Sequence, residues 1–375
     1  MTSRLLSTAC GLLGLTLALA PASSTQAADG TWPTEKANAW YASKPWLVGC
    51  NFSPSTAINQ LEMWQAETFD PATIDRELGW AQDLGFNSVR VFLHDLLWQQ
   101  DSQGLLQRME EFLTIADKHK IGVMFVLFDS VWDPNPKLGL QRPPHAGLHN
   151  SGWAQSPGRA ILQDPAKQDS LKPFVQGVLK HFKNDQRIHA WDLMNEPDNN
   201  NANSYGLLEP KNKGDLAFEL LKKTFTWARE INPDQPLTAG IWIGEWTADK
   251  IHPIHKFQLD NSDIITYHSY DPLDKHKARV APLKLYNRPI LCTEFMARPN
   301  GSQFDPILAW LKSEKIGAYC WGFVAGKTNT IYAWDTWKQP ATSEPKVWFH
   351  DIFRANGTPF DAKEVGYIKS VTGAK

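Results

Sequence analysis

The chain has 375 residues, with 38 Lys+Arg against 40 Asp+Glu and a formal net charge of −2. That balance leaves no excess of positive charge to neutralise phosphates, which argues against a nucleic-acid partner. At 42% hydrophobic and 21% charged residues the composition is that of a folded globular protein, neither disordered nor collagen-like, and the length admits one large barrel as readily as two ordinary domains. Tryptophan is abundant, 17 residues beside 18 Phe and 8 Tyr. Its flat apolar face and single N–H suit a core, and equally suit stacking on the C–H faces of sugar rings.

At the N-terminus Arg4 is the last charge before Asp29, and Ala9–Ala20 form an apolar stretch of the length of a signal-peptide core. It is too short to span a bilayer. Small residues follow over Pro21–Ala28, where cleavage is expected after Ala27 or Ala28, with Ala22 as another site. Residues 1–28 are therefore read as a signal peptide and 29–375 as one exported domain, periplasmic or extracellular, free of the membrane once cleaved. An uncleaved anchor is the alternative, but Cys10 lies at the start of the apolar core and not behind it as a lipoprotein cysteine would. The mature chain keeps Cys50, Cys292 and Cys320, too sparse for a disulfide scaffold and read as small buried residues.

Short apolar, β-branched or aromatic runs follow at Trp46–Phe52, Ser88–Leu93, Ile121–Phe128, His189–Met194, Leu237–Trp242, Ile264–Tyr270, Pro289–Phe295 and Gly317–Val324. Eight such runs with helices between them predict an α/β fold, a single (β/α)8 TIM barrel. Asp70-Pro71 opens one helix, with Ile74, Leu78, Ala81 and Leu84 on one face; Leu105, Met109, Phe112 and Ala116 repeat the pattern. Leu216–Ile231 is a third helix, with Asp215 as its expected cap and Pro233 as its stop. A doubly wound sheet would call for a Gly-rich phosphate turn, and Gly49-Cys50-Asn51-Phe52-Ser53 is not one. The longest irregular segments run from Asp129 to about Asp169, over Asp198–Gly214, and from Ala325 to about Trp348. All follow strand C-termini, the face on which barrels build active sites.

Two of these strands end in a single glutamate. His189-Ala190-Trp191-Asp192-Leu193-Met194-Asn195-Glu196-Pro197 stops abruptly at the proline, and Pro289-Ile290-Leu291-Cys292-Thr293-Glu294-Phe295 ends the same way. The two glutamates stand 98 positions apart, about three βα units of ~33 residues, which places them across the barrel mouth from one another. Paired carboxylates there are what glycoside hydrolysis requires, one protonated to serve the leaving oxygen and one ionised to attack the anomeric carbon.

With Asn195-Glu196-Pro197, His268-Ser269-Tyr270, Thr293-Glu294-Phe295 and Trp321-Gly322-Phe323 in this order, the sequence resembles the cellulase-like retaining glycoside hydrolases of family 5 and their clan, over nearly the whole mature chain. The resemblance implies Glu196 as acid/base, Glu294 as nucleophile, Asn195 as donor to the sugar 2-hydroxyl and Tyr270 as the group that orients the nucleophile. It likewise implies Arg90 beside the nucleophile and Trp321 as the floor under the sugar being attacked. His268 is read either as a structural histidine or as a substrate contact. Where that family commonly carries a histidine after the third strand, this chain has Phe128-Asp129-Ser130, and His94-Asp95 is the candidate to take part of its role.

Trp40, Trp46, Trp80, Trp191, Trp227 and Trp310 lie in strand or helix patterns and are expected in the core. Trp132, Trp153, Trp242, Trp246, Trp334 and Trp337 follow strand ends, where half are expected to line a cleft. His145, His149, His252 and His255 follow no metal-ligand template, which weighs against a zinc or di-metal hydrolase. The expectation is an exported, monomeric retaining β-glycosidase that needs no cofactor or metal and acts on a carbohydrate substrate, a β-1,4-linked plant glycan such as cellulose-type glucan, mannan or xylan. An exo-acting β-glycosidase is the alternative if the loops after the third and eighth strands wall off one end of the cleft. A sugar-binding barrel without catalysis is the non-enzyme alternative.

Overall fold

The computed structural model describes residues 30–375; the expected export signal lies outside the described residues. Eight strands form one sheet: β1 (Val48–Asn51), β2 (Ser88–Phe92), β3 (Gly122–Asp129), β4 (Ile188–Asn195), β5 (Leu237–Thr238), β6 (Ile265–His268), β7 (Ile290–Phe295) and β8 (Gly317–Cys320). Their order is β5-β4-β3-β2-β1-β8-β7-β6, with parallel pairing throughout. The gap between β5 and β6 is closed just beyond β5, where Ile241 accepts from the His268 N–H at 2.9 Å and donates to the Thr266 carbonyl at 3.1 Å. The molecule is a (β/α)8 barrel, and all eight expected strands are present. The fifth is shorter than its apolar run: its ladder to β4 ends at Thr238, and Ile241 turns to β6 instead.

Strand residues alternate between two cores because each strand is covered on both faces. Val89 and Val91 join the outer layer against the helices, while Ser88 and Arg90 point into the barrel. At the bottom of the barrel Leu47, Met124, Ala190, Ile264, Leu291 and Tyr319 form a small apolar cluster, covered by Trp40 and Tyr41 of the N-terminal helix Thr34–Ala42. One step higher the Ser88 hydroxyl meets Tyr319 Oη at 2.7 Å and His189 Nδ1 at 2.9 Å. Higher still come Arg90 and Asp192. The interior thus grades from apolar at the base to ionic at the mouth.

The alternation slips at the two strands that matter most. Leu193 and Met194 both pack in the outer cluster, so Asn195 is the next residue to turn inward. In β7 the pairings to both neighbours shift register around Thr293, which re-aims Glu294 into the mouth after Leu291. Glu196 then takes φ +42°, a left-handed conformation uncommon for a side-chain-bearing residue, imposed where β4 ends against Pro197.

The helix over Pro71–Asp83 begins as expected, with the Asp70 carboxylate accepting from the Thr73 N–H at 3.0 Å. The long helix expected to start after Asp215 instead runs Lys213–Ile231, so Asp215 lies within its first turn and does not cap it. The reason is Lys213, drawn inward to donate to Gln155 Oε1 at 2.9 Å and to the Ser130 carbonyl, which extends the helix back to Asn212. Among the expected core tryptophans, Trp191 and Trp227 are buried, while Trp40, Trp46, Trp80 and Trp310 pack half-buried against the cores. Cys50, Cys292 and Cys320 are buried free thiols. No helix among the described residues is long and apolar enough to cross a membrane.

Candidate active site

Glu196 and Glu294 meet at the barrel mouth, both buried, and each carboxylate oxygen is engaged. Glu196 Oε1 lies 2.8 Å from His268 Nδ1, and Oε2 accepts from Asn199 Nδ2 at 2.7 Å. Glu294 Oε1 accepts from Arg90 at 2.9 Å and Oε2 from the Tyr270 hydroxyl at 2.7 Å. His268 Nδ1 sits between the two, 3.5 Å from Glu294 Oε2. One ligand atom from each of Glu196, His268 and Glu294 lies within 4.8 Å of the others, a spacing that would suit a metal ion. The donor set does not fit one: the oxygens already hold hydrogen bonds, and the Arg90 guanidinium occupies the flank of Glu294 that a cation would need.

The two carboxyls differ electrostatically. Burial pushes Glu196 up to about 7, with the neighbouring Asp198 charge adding to the rise and the Asn199 hydrogen bond opposing it. Burial also raises Glu294, but Arg90 and Tyr270 both bind its charged form and hold it below where burial alone would put it. Burial lowers His268 to about 4, so the imidazole between them is neutral.

Arg90 organises this geometry from β2. Its Nε donates to Asp192 at 3.0 Å, one terminal nitrogen to Asn51 at 2.8 Å and Glu294 at 2.9 Å, and the other to Asp192 at 2.8 Å and Asn195 at 2.7 Å. All five N–H donors of the guanidinium are spent, so the group is fixed in orientation. Asn195 receives Arg90 on Oδ1 and donates through Nδ2 to Asp129 at 3.0 Å, which leaves one amide hydrogen for a ligand. Asp129 in turn accepts from Trp153 Nε1 at 2.7 Å. Burial raises Asp129 to about 6.

Of the residues singled out from sequence, Arg90, Asn195, Glu196, His268, Tyr270 and Glu294 therefore form one hydrogen-bonded network. Trp321 stands beside it, with its ring edge-on to Phe92 at 5.7 Å and Trp153 at 5.8 Å. His94 does not join. Its Nδ1 accepts the Leu96 N–H at 3.2 Å and caps the helix Asp95–Lys118, and no hydrogen bond among the described residues links it to either glutamate. The position after β3 is filled by Asp129 itself, because β3 runs on to Asp129 and pairs there with Asn195.

Sequence reasoning missed Asn51, Asp129, Asp192 and Asn199, each carrying a hydrogen bond of the network. Asp192 had a signal, an acidic residue inside an otherwise apolar strand. Asn199 sits in Asp198-Asn199-Asn200-Asn201, a polar run that resembles any loop. Asp198 was also overlooked: it accepts from Trp242 Nε1 at 2.6 Å and lies 2.8 Å from His255 Nε2, and this fixes Trp242 against Asp198, two residues along the chain from Glu196. Of the six tryptophans placed after strand ends, Trp246 is buried against Tyr267, whereas Trp334 meets Tyr270 edge-on at 5.0 Å and Trp132 stacks on Trp337 at 5.6 Å.

A parallel barrel with paired, unequal carboxylates at the C-terminal ends of its fourth and seventh strands has the architecture of a barrel hydrolase. The family model described as Cellulase (glycosyl hydrolase family 5) matches residues 52–357. The chain belongs to that family and is a glycoside hydrolase. Similar solved structures include the β-1,4-mannanase of the sea hare Aplysia kurodai, 18% identical, with TM-score 0.54 over 73% of this chain and 87% of that one. The exo-β-1,4-mannosidase Op5Man5 of Opitutaceae bacterium strain TAV5 is also 18% identical, with TM-score 0.54 over 87% of this chain and 59% of that one. A GH5_18 protein of Streptomyces cattleya, in complex with Manb1-4GlcNAc, is 11% identical at TM-score 0.55 over 87% and 80%. Among curated proteins none matches the chain.

Proposed function

We propose that the protein is a retaining β-glycosidase that cleaves β-1,4-linked polysaccharide or its oligosaccharides by double displacement. Glu294 attacks the anomeric carbon as its bond to the leaving oxygen breaks, and Glu196 gives that oxygen its proton. Glu196, now a carboxylate, takes a proton from water whose oxygen attacks the same carbon and frees Glu294. The observation that carries the reading is the pair itself: carboxyl oxygens within 4.8 Å of one another, nearer the short spacing of a retaining pair than the wide one of an inverting pair, and only Glu294 paired with a guanidinium. Tyr270 and Arg90 bind the charged form of Glu294 and aim it. Asn195 offers its remaining amide hydrogen to the 2-hydroxyl, and Trp321 supplies an apolar face for the ring. Among glucan, mannan and xylan, the mannanases that share the fold make mannan the first substrate to assay.

The glutamates are separated experimentally by leaving-group dependence. Glu294→Gln loses rate by orders of magnitude on every substrate. Glu196→Gln keeps a much larger share of its first step on a dinitrophenyl glycoside, whose leaving group needs no proton, and azide restores turnover with a β-glycosyl azide as product. Azide with Glu294→Gly gives the α-azide instead. Equal loss on all substrates with no rescue of either variant overturns the assignment, as does an α anomer as the wild type's first product.

A further inference from the structure

We propose that the enzyme acts from the chain end, releasing one sugar at a time from the non-reducing terminus, because three loops are tied into a wall across the glycone side of the site. The inference rests on the retaining reading above. Glu196 must stand beside the leaving oxygen, so the rest of the substrate extends past it toward the loops after β4, β5 and β6. The sugar under attack lies on the opposite side, over Glu294 and against Trp321, beneath the loops that follow β8, β1 and β3.

Those loops are joined to one another. From the loop after β3, Asn150 donates its N–H to the Thr328 carbonyl at 2.9 Å, and His149 donates to Thr336 Oγ1 at 3.0 Å. From the loop after β8, Asn329 Nδ2 donates to the His145 carbonyl at 2.9 Å, Trp337 Nε1 to the His149 carbonyl at 2.8 Å, and the Ala341 N–H to the Gly147 carbonyl at 2.9 Å. Gly147 has φ +68°, and a Cβ there would lie 1.8 Å from the Ala341 oxygen, so the two backbones touch where no other residue fits. The segment after β1 completes the barrier. The Ser55 carbonyl accepts the Lys327 N–H at 3.1 Å, and Asn59 Nδ2 reaches the Gly152 carbonyl at 2.8 Å.

A recess that meets the site at Asn51, which Arg90 binds at 2.8 Å, and at Trp321 is lined further by Phe92, Trp153, Thr328 and Thr330. Its far side is therefore the wall itself, since the Thr328 carbonyl is one of the tie points. A second sugar attached beyond the first would have to pass through backbone that is hydrogen-bonded on both sides. On the other side the loop after β4 is also tied to the loop after β3, through Lys213, Asn201 and Tyr205, but the loop after β5 beyond it stands free in solvent: Trp242 is half-buried beside Asp198, and the following residues 243–245 are exposed. The cleft is a pocket open on the aglycone side.

The test uses the wild-type mature enzyme with cello-, manno- and xylo-oligosaccharides reduced to alditols, so that each product reports which end it came from. The expected first product is the free monosaccharide alone, followed by a ladder shortened one unit at a time. Methylating the terminal 4-hydroxyl should slow the initial rate about 100-fold, the discrimination a closed pocket sustains against an added group. A first product of two or more sugars, or equal rates on blocked and free substrates, overturns the wall while leaving the retaining reading intact. Failure to hydrolyse any of these or an aryl β-glycoside overturns the reading on which it rests, and the proposal with it.

Discussion

Glu196 works as an acid only while it carries a proton, and its surroundings set where that proton is lost. Burial pushes its pKa up to about 7, so kcat/KM on an unactivated glycan should fall as pH rises through that value, while the acid-side loss belongs to protonation of Glu294. A dinitrophenyl glycoside, which needs no proton, should show no such alkaline fall. Asn199 donates to Glu196 Oε2 at 2.7 Å and so favours the charged form; Asn199→Ala removes that preference and should move the alkaline limb to higher pH. A limb that stays or moves down would show that Asn199 does not set this pKa. Arg90 makes a different prediction, for stability. It is fully buried, with Asp192 equally buried against it and Glu294 on its other side. Arg90→Met leaves both carboxylates without their cation, and denaturant unfolding should show a loss of roughly 3–5 kcal/mol.

At the scale of elements, what could be seen in the sequence was local and what could not was distant. The strands announce themselves because each is buried on both faces and must read as a short apolar run, and Glu196 and Glu294 stand out because a carboxylate ends such a run. Arg90 and Tyr270 were legible through the family resemblance. The role of His94 was not, since a side chain that caps its own helix looks the same in sequence as one that faces a ligand. The start of the helix at Lys213 was hidden for a related reason: its inward turn depends on Ser130 and Gln155, from a loop 58 or more positions away. The ties across the wall are more remote still, as between His149 and Tyr332, 183 positions apart. Lys213 gives this scale its prediction. It joins the loop after β3 to Glu209 of the loop after β4, with Asn201 donating to the same carboxylate at 2.6 Å and holding Trp132 through its N–H at 2.9 Å. Lys213→Met leaves Glu209 buried without a counter-charge, so limited proteolysis should cut within residues 130–158 or 199–212 well before it cuts the wild type. Equal resistance would show that the loops hold by other contacts.

For the whole molecule the gradient along the barrel axis divides labour between its ends: the ionic mouth carries the chemistry, and the apolar base carries stability. A barrel interior that ends in Leu47, Met124, Ala190, Ile264, Leu291 and Tyr319 would expose those side chains to water if nothing lay beneath them. The helix Thr34–Ala42 supplies that cover through Trp40 and Tyr41. It is tied to the barrel ahead of its first turn, where the Trp32 N–H donates to Asp263 at 2.7 Å and the Trp32 carbonyl accepts from Arg288 at 2.9 Å. Asp263 also binds Arg229 at 2.8 Å and the Leu237 N–H at 2.8 Å, so one buried carboxylate links the N-terminal segment to β5 and to the helix before it. This sets how much of the N-terminus the fold can lose. Export with cleavage after Ala27 or Ala28, as we propose, leaves Trp32 and everything it ties in place, and N-terminal mass analysis of the exported protein should find a start near Ala28 or Asp29. Protein made to begin at Asp29 should melt at the same temperature as the exported form. Protein made to begin at Ser43 loses the plug, and with it the apolar burial of two aromatic side chains, roughly 1.5–3 kcal/mol for each one fully buried. Its melting point should fall by several degrees at the same scan rate, and dyes that bind exposed apolar surface should report the open base. Equal melting points for the starts at Asp29 and Ser43 would show that the base closes without the helix.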